Sequence, residues 1–195
     1  MQKAIIVCLS KQKDEIINLL QLDDYSFEPL LSNEQLYLIG DIEEYQINLL
    51  INIIKHYKSI LFINGSPNKN GNTVRLTKKF LKDQEFKTLN LVDYKIYSYG
   101  QNFEDDQLDE VIEQMKQADT IVIGSPLYWH SMSGAIRNVL DRFYGYVDEC
   151  LLQGKDMYFV FQGYAPTKEQ LAAGEYTMSR FAKLYGMNYK GMIAE

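Results

Sequence analysis

Hydrophobic and polar positions fall into two regimes along the chain. From residue 58 onward, short wholly apolar runs alternate with segments of helical period. Ile60–Ile63, Thr120–Gly124 and Met157–Phe161 are continuous apolar runs, the pattern of strands buried on both faces. Phe86–Asp93 and Met187–Ala194 alternate instead, which predicts edge strands. Between them, Val74, Leu76, Phe80 and Leu81 predict a first helix. Leu108, Val111, Ile112 and Met115 predict a second. Ile136, Val139, Leu140 and Phe143 predict a third with Ser133 as N-cap, and Thr167-x-x-Gln170 opens a fourth as a capping box. The order β-α-β-α-β-α-β-α-β with uniform strands inside predicts a five-stranded parallel sheet, order 2-1-3-4-5, between two helical layers.

Residues 1–57 read differently. Ala4–Leu9, Tyr25–Leu31 and Leu36–Ile39 predict short strands. Ile16–Leu20 lies in a predicted helix, and Ile42–Tyr57 carries a broad apolar helical face. This α+β extension runs into Ser59 without Gly, Pro or a polar linker, so a docked appendage is expected rather than a tethered domain. We therefore divide the chain into an extension, 1–57, and a main domain, 58–195. His56 is expected at the surface near a helix end.

Charge sharpens the division. The net charge is −6 over 195 residues. Residues 1–57 hold 4 Lys against 9 Asp or Glu, a net −5, which leaves −1 for the rest. Neither part has the basic surplus of a nucleic-acid binder. No run reaches the ~20 residues of a membrane span, and Ala4–Leu9 is too short for a secretory signal. Cys8 and Cys150 form no C-x-x-C, so neither a metal site nor a disulfide framework is expected, and a reduced, cytoplasmic setting is.

The candidate chemistry gathers at one end of the predicted sheet. After the first strand, Gly65-Ser66-Pro67-Asn68-Lys69-Asn70-Gly71-Asn72-Thr73 leads into a helix N-terminus, where unpaired N–H groups and the helix dipole favour phosphate. Neither G-x-x-x-x-G-K-[ST] nor G-x-G-x-x-G is present. Hydroxyls and amides without an obligatory cation suit a terminal phosphate monoester. Read alone, the loop also fits an ordinary polar βα turn. After the third strand, Pro126-Leu127-Tyr128-Trp129-His130 offers a rigid turn and aromatic surface. Alone, these aromatics also fit caps of the core. The order 2-1-3-4-5 brings both loops to its switch point, where such sheets bind ligands, and that favours a ligand wall.

Two segments, Gly65–Thr73 and Gly124–Arg142, resemble the flavodoxin-like NAD(P)H-dependent FMN reductase family. The resemblance covers residues 58–195. It implies that Ser66, Asn68, Gly71, Asn72 and Thr73 hold the FMN phosphate. Pro126, Leu127, Tyr128 and Trp129 would line the ring, with Gln162, Gly163 and Tyr164 closing the site. His130 stands where the related motif often has a small residue, and the cysteine cluster of the family's iron–sulfur members is missing. The activity so implied is transfer of reducing equivalents from NAD(P)H through FMN to a quinone, azo or nitro compound or free flavin, by a homodimer. The alternatives are a one-electron carrier of the flavodoxin type and a non-catalytic flavin- or partner-binding protein. The chemistry is expected to be borne by the flavin. His130 is the side chain at the rim with a proton-carrying imidazole, and no metal is expected.

Overall fold

The computed structural model describes residues 2–9, 25–29, 35–42, 59–149 and 151–195. The chain divides into two compact units, residues 1–58 and 59–195. In the first, β1 (Gln2–Leu9), β2 (Tyr25–Pro29) and β3 (Gln35–Ile42) form an antiparallel sheet, order β1-β3-β2. Gln2 pairs with Ile42, and Tyr25 with Gly40. The helix expected around Ile16–Leu20, residues 43–57 of the helix expected over Ile42–Tyr57 with His56, and Cys150 lie outside the described residues, while Ile42 ends β3.

In the second unit the apolar runs are the sheet. β4 (Ile60–Asn64) is buried throughout, β5 (Lys87–Asn90) flanks it on one side, and β6 (Thr120–Tyr128) pairs with it on the other. β8 (Asp156–Gln162) and β9 (Asn188–Ala194) complete the order β5-β4-β6-β8-β9, all parallel. Counting the parallel strands of this unit alone, that is 2-1-3-4-5.

Two expectations need correction. The sheet has six strands, because two-residue β7 (Ser131–Met132) pairs antiparallel with β6. The stretch expected as a loop after Gly124 instead continues β6 to Tyr128 and turns back. β5 also stops at Asn90 rather than Asp93. There Asn64 Nδ2 donates to Asn90 Oδ1 at 3.0 Å, and Leu91 turns into the core in a short 3-10 segment.

Helix α1 (Asn72–Leu81) packs Val74, Leu76 and Leu81 on Ile60, Phe62, Val122 and Val160. On the opposite face lie α2 (Leu108–Gln117), α3 (Gly134–Arg142) and α4 (Lys168–Leu184). Their Val111, Met115, Ile136, Val139 and Met178 share a core with Leu61, Ile63, Ile121 and Ile123. Right-handed crossovers account for this split, since the chain moves one way along the sheet through α1 and the other way through α2–α4. This is the flavodoxin-like three-layer arrangement.

Candidate functional site at the carboxyl edge of the sheet

The loop between β4 and α1 is held by its own side chains. Asn64, fully buried, accepts the Ser66 N–H at 3.1 Å. Ser66 Oγ accepts the Asn68 N–H at 3.1 Å, and Asn68 Oδ1 the Asn70 N–H at 2.9 Å. These bonds occupy acceptor oxygens. What Ser66 and Asn68 retain for a ligand is the donor half of each group, an O–H and an NH2.

The start of α1 has the same bias. Gly71 is its N-cap and provides no side-chain bond, and its first turn holds no acid. Each other helix of this unit covers its own start. Asp106 Oδ1 accepts the Leu108 N–H at 3.0 Å below α2, and Ser133 caps α3. Thr167 and Gln170 cap α4 reciprocally. Among the described α-helices, α1 alone leaves its first N–H groups and its dipole uncompensated by a side chain, and it does so where the donors of Ser66 and Asn68 converge.

The facing wall comes from β6 and the β8–α4 loop. Ser133 ties it to the first loop by donating Oγ–H to Gly65 O at 2.8 Å, while its N–H bonds Ser125 Oγ at 2.8 Å. Two glycines make the approach possible. A Cβ at Gly65 would lie 2.3 Å from Ile136 Cγ1, and one at Gly124 would lie 2.6 Å from Phe62 and 2.9 Å from the Thr73 methyl. Neither position has room for a side chain.

The two walls enclose a cavity of about 430 Å³, within the ~300–1,000 Å³ of small-molecule and cofactor sites. It brings together Ser66, Asn68, Gly71, Asn72 and Thr73 with Pro126, Leu127, Tyr128, Gln162, Gly163 and Tyr164. Trp129 is not among the lining residues. It stands 95% exposed at the turn between β6 and β7, where Trp129 and His130 take φ of 47° and 68°. Asn70, one of the loop's amides, also lines the cavity, as does Arg75, which lies outside both motifs. Arg75 lies one turn beyond the N-cap, and its guanidinium Nη2 donates to Asn72 Oδ1. Helical spacing from Gly71 was the signal for it. His130 Nδ1 bonds the Gln170 amide. Among the described residues no three His, Cys, Asp or Glu side chains gather as a metal site would require, and no helix is long and apolar enough to cross a membrane.

A doubly flanked parallel sheet, a donor-rich loop at a bare helix start and an apolar wall opposite it define a flavodoxin-type mononucleotide-binding domain. Solved structures share this fold. The Trp repressor binding protein from Bacillus subtilis is 21% identical, with a TM-score of 0.58 over 70% of this chain and 83% of that one. An NADH:FMN oxidoreductase in its apo form is 20% identical, with a TM-score of 0.53 over 70% and 75%. Residues 59–191 match the family model of NADPH-dependent FMN reductases, and the chain belongs to that family. An iron-sulfur flavoprotein of Archaeoglobus fulgidus is 34% identical over 96 residues, 43% of this chain and 47% of that protein. An NADPH azoreductase of Bacillus sp. (strain OY1-2) is 36% identical over 90 residues, 42% and 48%. The chain spans about half the length of these curated relatives. It holds two cysteines, where a cluster bound by thiolates alone takes four.

Proposed function

We propose that this protein is an FMN-dependent NAD(P)H oxidoreductase acting on a small flat acceptor: a quinone, an azo or nitro compound, or free flavin. The observation that carries this reading is the bare start of α1 facing the Pro126–Tyr128 wall across one cavity. The residues present fit FMN. Ser66, Asn68, Asn72, Thr73 and the backbone at Gly71 would take its phosphate, with Arg75 adding positive charge. Pro126, Leu127, Tyr128, Gln162, Gly163 and Tyr164 would flank its ring.

When bound, FMN supplies the redox chemistry, taking reducing equivalents from NAD(P)H and passing them to the acceptor. The protein's own groups position and shield. Neither serine of the rim is paired with a base, since Ser66 Oγ holds the Asn68 amide and Ser133 Oγ the Gly65 carbonyl. Pro126, fully within the apolar wall, and Leu127 exclude water from one side, and Tyr164 stands at the open rim. An acceptor would then be selected by flatness rather than by hydrogen-bond pattern. The name of the azoreductase relative supports an azo compound as one such acceptor. Exposed aromatics beside the mouth, Trp129 and Tyr164, support a homodimer in which a second copy covers them, and the absence of any C-x-x-C in the sequence supports a reduced, cytoplasmic setting.

Anaerobic mixing of the FMN-loaded protein with NADH and with NADPH tests the reading. Bleaching of the flavin by either is expected. If neither bleaches it, while dithionite or a partner protein does, the reductase reading fails and an electron carrier takes its place.

A further inference from the structure

The turn at Trp129-His130 has an unusual construction. Leu127 pairs with Met132 and Tyr128 with Ser131, so the hairpin loop is two residues long. Both residues have positive φ, a conformation that such turns ordinarily fill with Asn and Gly. A bulky residue there is disfavoured, and Trp129, almost wholly exposed, gains no packing in return. Some other contact has to hold the tip in place, and His130 provides it.

Its partner, Gln170, is already committed. Gln170 Oε1 accepts the Thr167 N–H at 2.8 Å, and Thr167 Oγ1 accepts the Gln170 N–H at 3.3 Å, closing the capping box of α4. The carbonyl end of the amide is thereby used, so the end facing His130 is the NH2. It faces His130 Nδ1, which serves as the acceptor in the tautomer that carries its proton on Nε2. This places a continuous hydrogen-bonded path between the two parts of the wall that faces the β4–α1 loop. One end is the β6–β7 hairpin that carries Pro126–Tyr128. The other is the Gln162–Thr167 loop that carries Gly163 and Tyr164, where Ala165 also has positive φ, 49°. The two parts of this wall meet where Gly163 lies on Leu127, since a Cβ on Gly163 would lie 2.9 Å from Leu127 Cβ. At the tip they are joined through His130 and Gln170.

We propose that His130 is a positioning residue: with Gln170 it latches the hairpin to the first turn of α4 and so fixes the two parts of the facing wall against each other at the cavity's rim. The latch itself belongs to the ligand-free protein. Its consequence for the cofactor rests on the FMN reading above. A histidine on this rim then has a reason that is neither proton transfer nor solvation. Its ring presents an acceptor at the reach of Gln170, from a backbone position where few residues are comfortable.

Two variants separate side chain from backbone. His130→Gly keeps the positive φ and removes the acceptor. His130→Asn also tolerates that φ and restores an oxygen acceptor. Hydrogen–deuterium exchange of the full chain without ligand should be about three- to tenfold faster at both 128–132 and 163–170 in His130→Gly, the size of one neutral hydrogen bond. In His130→Asn both segments should return to within about twofold of the parent. Combining His130→Gly with Gln170→Met should add nothing to Gln170→Met at the hairpin, since the two act through one bond. Unchanged exchange at 163–170 in His130→Gly, or His130→Asn as fast as His130→Gly, overturns the latch.

The dissociation rate of FMN, followed by its fluorescence on dilution, should rise in His130→Gly by a similar factor and be restored in His130→Asn. Altered exchange with an unaltered FMN rate overturns the role at the rim. Failure of the parent protein to bind FMN at all would instead strike the cofactor reading and leave the exchange result standing.

Discussion

Helices α1 and α4 both begin beside the same cavity, and they begin in opposite ways. α4 is finished within the chain: Thr167 and Gln170 satisfy each other's backbone donors, and Glu169 lies in the first turn against the dipole. α1 has neither a side-chain cap nor an acid, although the loop before it is rich in residues able to cap. Those residues, Ser66 and Asn68, bond to the loop instead. A helix start that a folding chain can satisfy cheaply has been left open in one place and closed in the other. The open one is where an anionic group outside the chain would complete the structure.

A strong structural contact elsewhere sets the scale for that comparison. Arg142 Nη1 reaches Asp106 Oδ2 at 2.5 Å, with both side chains largely buried, and also donates to Tyr97 O at 3.2 Å. Burial would raise the Asp106 carboxyl, but the Arg142 hydrogen bond and the N–H groups of Leu108 and Tyr97 outweigh it and hold it below its usual 3.8. Its stabilisation is therefore complete above the ordinary aspartate range and lost as the pH falls through the lowered value. Asp106→Asn should cost about 3 kcal/mol in urea unfolding at neutral pH and flatten the acid side of the stability profile, while FMN affinity stays unchanged. A loss of FMN affinity matching the loss of stability would mean that fold and site cannot be separated here.

The next effect belongs to α1. Thr73→Ala should weaken FMN by about 1.5–3 kcal/mol and riboflavin hardly at all, as for a hydrogen bond to a charged group. Equal affinity of the parent protein for both flavins, by fluorescence titration, would remove the phosphate from this loop. Asn72→Asp gives α1 the acid that α4 already has. It should raise stability by about 0.3–1 kcal/mol through the dipole while weakening FMN at least tenfold by repulsion. That opposite movement of two measurements is the sharpest test that the open start is reserved for an anion.

The smallest effect is on α4. Thr167→Ala should lose about 1 kcal/mol of unfolding free energy, as ordinary caps do, with equilibrium FMN affinity within about twofold of the parent. If Thr167→Ala weakened FMN as much as Thr73→Ala, the two helix starts would not differ in kind.

Most of this arrangement is legible in the sequence, and the exceptions have physical causes. The three uniformly apolar runs and the two alternating ones specified which strands lie inside, and chirality then specified their order. Ser133 and the Thr167–Gln170 box could be read as caps because a cap depends on residues three apart. Arg75 carries no signal in the motif because it belongs to a helix by period and to the cavity only by where that helix points. Trp129 was expected on the ring wall because it follows Tyr128 in the motif. Instead the chain reverses at Trp129-His130 with both residues at positive φ, and the indole is carried away from the cavity that Tyr128 lines.

The sequence by itself determined the layers, the strand order and the meeting of a donor-rich loop with an apolar one, since these follow from periodicity and handedness, which act over a few residues at a time. The tertiary structure alone decided that α1 would start uncapped, that Trp129 would point outward and that His130 would find Gln170, 40 residues away. Each of these depends on which donor meets which acceptor after the chain has folded. Such pairing is a competition among many near-equal hydrogen bonds, settled by geometry that no local pattern encodes.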